Sequence, residues 1–224
     1  MNDRKAHVVE KTALIIYVLA FYCVWTAWEI WVKDFINAAV PNEYFSQLIK
    51  SGVIKSIVWV LPAVLLGMRF ESEMFVGVKE MFTKRVNVLK YLPIFMIFTV
   101  YLLVGALLQK GRLAISERFG LDKLIIVLFV GITEETVFRG WLLNATLGER
   151  KKQLSVAANA VMFLLIHFPV WIHDGVFVEN FRNFGFLSIL ILSVIFSVTF
   201  IKSKSIWVPV TLHMYWDLLM FLFY

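Results

Sequence analysis

Glu134, Glu135, Arg139, His167, His213 and Asp217 are ionisable residues that stand inside otherwise apolar stretches, and their spacing sorts them into three groups. Glu134, Glu135 and Arg139 share one stretch, His167 stands on a second, and His213 and Asp217 share a third. On a helix, residues four apart lie on one face, so Phe163 sits with His167, and His213 with Asp217. An ionised side chain at mid-bilayer costs roughly 2.5–3.5 kcal/mol, so charges there must pair or line a wet cavity. Glu135 and Arg139 are four apart with the acid first, the better orientation for a helical ion pair. Glu134 has no such partner on its own helix. A carboxylate that can take a proton from water, with imidazoles to position that water or stabilise an oxyanion, is the material of hydrolysis. No Ser or Cys is paired with a base in any of the three groups, and Cys23 is remote in sequence, so the nucleophile these residues suit is water.

The elements that must position these groups are membrane spans. Of the 224 residues 60% are hydrophobic and only 17% charged, with a mean hydropathy of +0.79, which describes an integral membrane protein. A single cysteine leaves no intrachain disulfide framework and no Cys-based metal cluster. The net charge of +6 does not point to nucleic acid, because the basic residues fall in short loops where they orient the chain and meet lipid head groups. Apolar runs at 12–32, 53–68, 91–109, 123–147, 154–172, 184–201 and 206–224 predict an all-α polytopic bundle of about seven spans, or eight with one further short segment. Gly148 ends the fourth run, and Ala157, Ala158 and Ala160 offer the fifth a close approach to a neighbour. In 70–90, Met74, Phe75, Val78, Met81 and Phe82 recur at helical spacing among Lys79, Lys84 and Arg85, which predicts an amphipathic helix on the membrane surface. Nothing divides the chain, so residues 1–224 are read as one domain. Loop Lys and Arg, among them Arg4, Lys5, Lys84, Arg85 and Arg150, favour the N-terminal side and put the N-terminus in the cytoplasm.

The motifs Glu-Glu-x-x-x-Arg at Glu134, Glu135 and Arg139, Phe-x-x-x-His at Phe163 and His167, and His-x-x-x-Asp at His213 and Asp217 occur in that order. Together they resemble the CPBP (CAAX protease and bacteriocin-processing, or Abi) family of intramembrane glutamic proteases. The resemblance covers roughly residues 120–220; residues 1–119 match only as hydrophobic spans. It implies an endopeptidase of a bacterial plasma membrane in which Glu134 activates water, His167 helps hold it, and His213 with Asp217 forms the oxyanion site. Glu135, Arg139 and Phe163 would support them. It further implies a site that needs no cofactor and a membrane-embedded or lipidated substrate: a prenylated CAAX tail, a pheromone or bacteriocin leader, or a membrane-bound regulator. CAAX-processing members carry Asn where this chain has Asp217. Two resolutions are open: a protonated Asp217 that donates as Asn would, or an ionised one that accepts from one nitrogen of His213 and leaves the other to face the oxyanion. Three rival readings use the same residues: a zinc hydrolase built on His167, His213 and a carboxylate, although no His-Glu-x-x-His helix is present; a proton-coupled transporter; and a membrane scaffold without catalysis.

Overall fold

The computed structural model describes residues 2–147 and 151–224. Among these residues the regular structure is helical throughout, as lipid requires of a chain that must satisfy its own amides. Five helices are long and apolar enough to cross a membrane: α1 (Lys11–Ala39), α2 (Glu43–Arg69), α3 (Val88–Lys110), α5 (Lys152–His173) and α6 (Gly185–Ser203). Between α3 and α5 lies α4 (Leu121–Glu135), which continues without a break into a π-helical segment, Thr136–Leu143. The last helix, α7 (Trp207–Phe223), is apolar but only 17 residues long. The protein is therefore an integral membrane protein; among the described residues, length and composition alone count five crossings. α4 falls short because of its three inner charges, and α7 because of its length.

Several boundaries differ from those read in the sequence, each for a local reason. α2 begins at Glu43 and not near residue 53, with Asn42 capping its first turn by accepting from the Phe45 amide at 3.1 Å. The expected surface helix over 70–90 is not formed; its longest helical piece is Val78–Thr83. The buried Asn144 of the α4 arm donates to the Val76 carbonyl and accepts from the Val76 amide, both at 2.8 Å, and so draws this segment inward. Val76, Val78 and Met81 then join a core with Leu143, Phe200 and Ile206, so their helical spacing served packing and not the membrane surface. α5 breaks at Ile166, between Lys152–Leu165 and His167–His173. Pro169 has no amide hydrogen for the Leu165 carbonyl one turn earlier. The Ile166 carbonyl instead accepts from Trp25 Nε1 of α1 at 2.8 Å. Of the three alanines on α5 only Ala160 is buried; Ser155 and Asn159 share its inner face. Gly148 and Arg150 lie outside the described residues.

α4 is the axis of the bundle. Its arm packs Phe138 and Trp141 against an aromatic cluster of Tyr17, Phe21, Trp25 and Trp28 from α1 and Trp59 from α2. On its other side Gly131 lets α7 come close: a Cβ there would lie 2.5 Å from Met214 Cγ and 3.4 Å from the Val210 carbonyl. Gly131→Val should push the two helices apart and cost about 1–3 kcal/mol, the usual range for overpacking. Thermal unfolding in detergent micelles would measure it; an unchanged midpoint would mean that the helices are not in tight contact there.

Candidate active site

The centre of the site is an ion network on three helices. Arg139 Nη1 donates to Glu135 Oε1 at 3.0 Å, the pair that their spacing predicts. Arg139 Nη2 donates to the Ser193 carbonyl at 3.1 Å and to Ser193 Oγ at 2.7 Å, tying α4 to α6. The guanidinium lies 4.5 Å from the Phe163 ring centre and 5.4 Å from that of Phe196, faces that suit a planar cation. Glu135 and Arg139 are both fully buried. The same Glu135 oxygen lies 2.8 Å from His213 Nδ1 on α7. An ionised carboxylate only accepts, so Nδ1 carries the hydrogen and the ring is fixed from a neighbouring helix.

This contact gives His213 a second carboxylate partner besides Asp217. Nε2 lies 3.5 Å from Asp217 Oδ2, so each ring nitrogen faces a different carboxylate. The arrangement in which Asp217 holds one nitrogen and the other turns to the cavity is not formed, because the other nitrogen is held by buried Glu135. With Nδ1 donating to Glu135, Nε2 can donate only when the ring carries both hydrogens. Phe196 stacks on the ring at 5.1 Å between centres and keeps its plane.

His167 stands just past the break in α5, and its Nδ1 is 2.9 Å from the Phe163 carbonyl. The carbonyl only accepts, so this nitrogen donates and Nε2 is left with a lone pair. Phe163 thereby serves both histidines, with its ring 5.4 Å from that of His167 and 5.9 Å from that of His213. These residues line a cavity of about 810 Å³ bounded by α3, α5, α6 and α7, whose apolar walls include Leu192, Trp216 and Phe221.

Four of the predicted residues, Phe163, His167, His213 and Asp217, thus share one cavity. Glu134 does not line it. One position before Glu135 on α4, it turns toward α1 and α2, half-buried, and lines a separate small cavity with Trp25, Lys55, Trp59 and Thr133. Trp25 stands between the two places: its ring borders the Glu134 cavity, and its Nε1 holds the carbonyl of the residue before His167.

The sequence that carries α4 to α7 resembles a known family. Residues 118–219 match the sequence profile described as type II CAAX prenyl endopeptidase Rce1-like. This stretch is similar to that family. The match agrees with the resemblance carried by the three motifs and takes in α4 to α7, with every residue of the ion network. No curated protein and no solved structure matches the chain.

The Rce1-like stretch does not build the site alone. Lys55 and Trp25 come from α2 and α1, before it. In the run 53–68 Lys55 would stand at the entrance of a span; with α2 starting at Glu43 it stands at the helix middle, where a lysine in an apolar run marks itself out. Ser193 is a second residue missed. It gave no sign in the sequence beyond a hydroxyl on an apolar helix.

Proposed function

We propose that this protein is an intramembrane endopeptidase that hydrolyses a peptide bond of a lipidated, membrane-held peptide with water activated by Glu134. The observation that carries the reading is His213: a ring held by the buried Glu135–Arg139 pair, lining one cavity with His167 and Asp217, inside the stretch that resembles the Rce1-like family. In this reading Glu134 takes one proton from water as the oxygen attacks the peptide carbonyl. The carbonyl oxygen becomes an oxyanion and receives hydrogen bonds from doubly protonated His213 and from Asp217 in its acid form. His167 accepts from the water through Nε2. On collapse the C–N bond breaks, the carbonyl re-forms, and the proton on Glu134 passes to the leaving amine. The apolar walls of the cavity suit a lipid-modified tail. All of α1 to α7 cross a bacterial plasma membrane, with the N-terminus in the cytoplasm as the loop charges favour.

The test is cleavage of a prenylated CAAX peptide and of its unprenylated form by purified protein in detergent, with and without chelator. Cleavage that survives chelation and favours the prenylated peptide is expected. Loss on chelation with rescue by zinc would point to the metal reading, which needs His167, His213 and a carboxylate around one ion; among the described residues no three such side chains converge. Ion flux from liposomes without cleavage would point to a transporter, and neither activity to a scaffold.

Asp217 makes a narrower prediction. If its acid form donates to the oxyanion, Asp217→Asn keeps a donor of the same shape at that place. Activity should be retained, whereas a loss beyond about tenfold at every pH would mean that the carboxylate itself is needed.

A further inference from the structure

Where α3 begins and α6 ends, away from the active-site cavity, lies another cavity of about 550 Å³. Arg85 borders it from the segment before α3, Lys90 from the first turn of α3 and Lys202 from the last turn of α6. No carboxylate lines it, and among the described residues none of the three cations has an ion-pair partner. Glu80, on the same segment as Arg85, is held by Lys84 at 3.0 Å. The segment is fixed against the start of α7: the Ile206 amide donates to the Met81 carbonyl at 3.0 Å, and Trp207 Nε1 to the Phe82 carbonyl at 2.7 Å. Each cation alone is ordinary, since span ends carry basic residues and Lys202 suits the negative end of the α6 dipole. Three around one cavity repel one another, and an anion among them removes that cost. Neutral donors stand beside them. Asn87 Oδ1 accepts from the Leu89 amide at 3.0 Å, which leaves Nδ2 to donate, and the Tyr91 hydroxyl has no partner among the described residues.

We propose that this cavity is a binding site for the phosphate of an acidic phospholipid. Guanidinium, ammonium, amide and hydroxyl donors match the several acceptor oxygens of a phosphate, and basic pockets between spans at a membrane face suit anionic head groups. The apolar wall says that the phosphate comes on a lipid. Ile94 and Val198 line the cavity beside the donors. At helical spacing from them, Ile97 on α3 and Val194 and Ile191 on α6 are exposed, so an apolar stripe leads from the cavity along each helix toward mid-membrane. The head group sits among the cations and the acyl chains lie along these stripes. A bound lipid joins the start of α3 to the end of α6, the two helices that also wall the active-site cavity. The sites are separate, for Leu192 in that wall and Lys202 stand roughly 15 Å apart at the helical rise along α6.

The experiment follows the thermal midpoint of the full chain in detergent micelles as phosphatidylglycerol, phosphatidylcholine or glycerol phosphate is titrated in, which reads affinity for the folded state. Wild type is compared with a pocket variant, Arg85→Gln with Lys90→Gln and Lys202→Gln, and with a control that loses the same charge, Arg69→Gln with Lys79→Gln and Lys151→Gln. Phosphatidylglycerol should raise the midpoint of wild type, and its apparent affinity should fall at least about tenfold in the pocket variant but stay within about twofold in the control. Phosphatidylcholine, without net charge, and glycerol phosphate, without acyl chains, should shift the wild-type midpoint much less. An equal loss in the control would overturn the proposal by showing general attraction to a basic face. An equal response to phosphatidylcholine would overturn it by showing that the head group is not recognised, and one to glycerol phosphate by making the cavity a site for a soluble anion. Should the pocket variant fail to fold, Lys90→Gln and Lys202→Gln, both at exposed side chains, are read singly, each expected to weaken phosphatidylglycerol by about fivefold. No outcome depends on peptide cleavage.

Discussion

Glu134→Gln should reduce cleavage by about 10²–10⁴-fold, the contribution of a positioned general base, while the protein remains folded. The amide keeps the shape of the carboxylate and removes the proton acceptor. Stability should hold because Glu134 stands outside the Glu135–Arg139–His213 network and borders a small cavity of its own. Glu135→Gln provides the contrast. It weakens the bond to Arg139 and disturbs the acceptor of His213 Nδ1, so both activity and thermal midpoint should fall. Kinetics and thermal unfolding measured on the two variants separate the roles of these adjacent acids. Cleavage by Glu134→Gln at more than a few per cent of wild type would remove Glu134 from the mechanism.

What could be read from the sequence was whatever one helix determines by itself. The Glu135–Arg139 pair follows from a spacing of four on a single helix, and so does the common face of His213 and Asp217. The all-helical class follows from runs that only a helix can carry through lipid. What could not be read depends on partners far along the chain. The bond from His213 to Glu135 joins residues 78 apart, and it gives one nitrogen of His213 a partner that the spacing on α7 could not show. The segment 70–90 has the pattern of a surface helix, yet Asn144, a polar residue given no role in the sequence reading, captures Val76 and pulls the segment into the core. Lys55 depends on a boundary: a start near residue 53 puts it at the water interface, whereas a start at Glu43 puts it at mid-span. Glu134 was singled out for having no partner on its helix, and that argument was silent about which neighbour it faces.

Removal of Arg139 should have the largest effect on stability. Arg139→Leu deletes every hydrogen bond that joins α4 to Ser193 and leaves the fully buried Glu135 with His213 as its remaining partner. Breaking a buried pair from one side typically costs about 3–5 kcal/mol, because a charge is left uncompensated. Replacing both partners removes that charge as well, so Glu135→Leu combined with Arg139→Leu should be more stable than Arg139→Leu alone. Ser193 tolerates the loss in either variant, since its carbonyl belongs to the continuous helix α6. Activity should not follow stability. In the double variant His213 Nδ1 has lost its acceptor, so the ring is free to turn and Nε2 is no longer directed at the oxyanion. The expected signature is a thermal midpoint that recovers from single to double variant while kcat stays low in both. Equal midpoints for the two variants would show that Glu135 and Arg139 do not stabilise one another, and recovery of kcat in the double variant would show that His213 is oriented without Glu135.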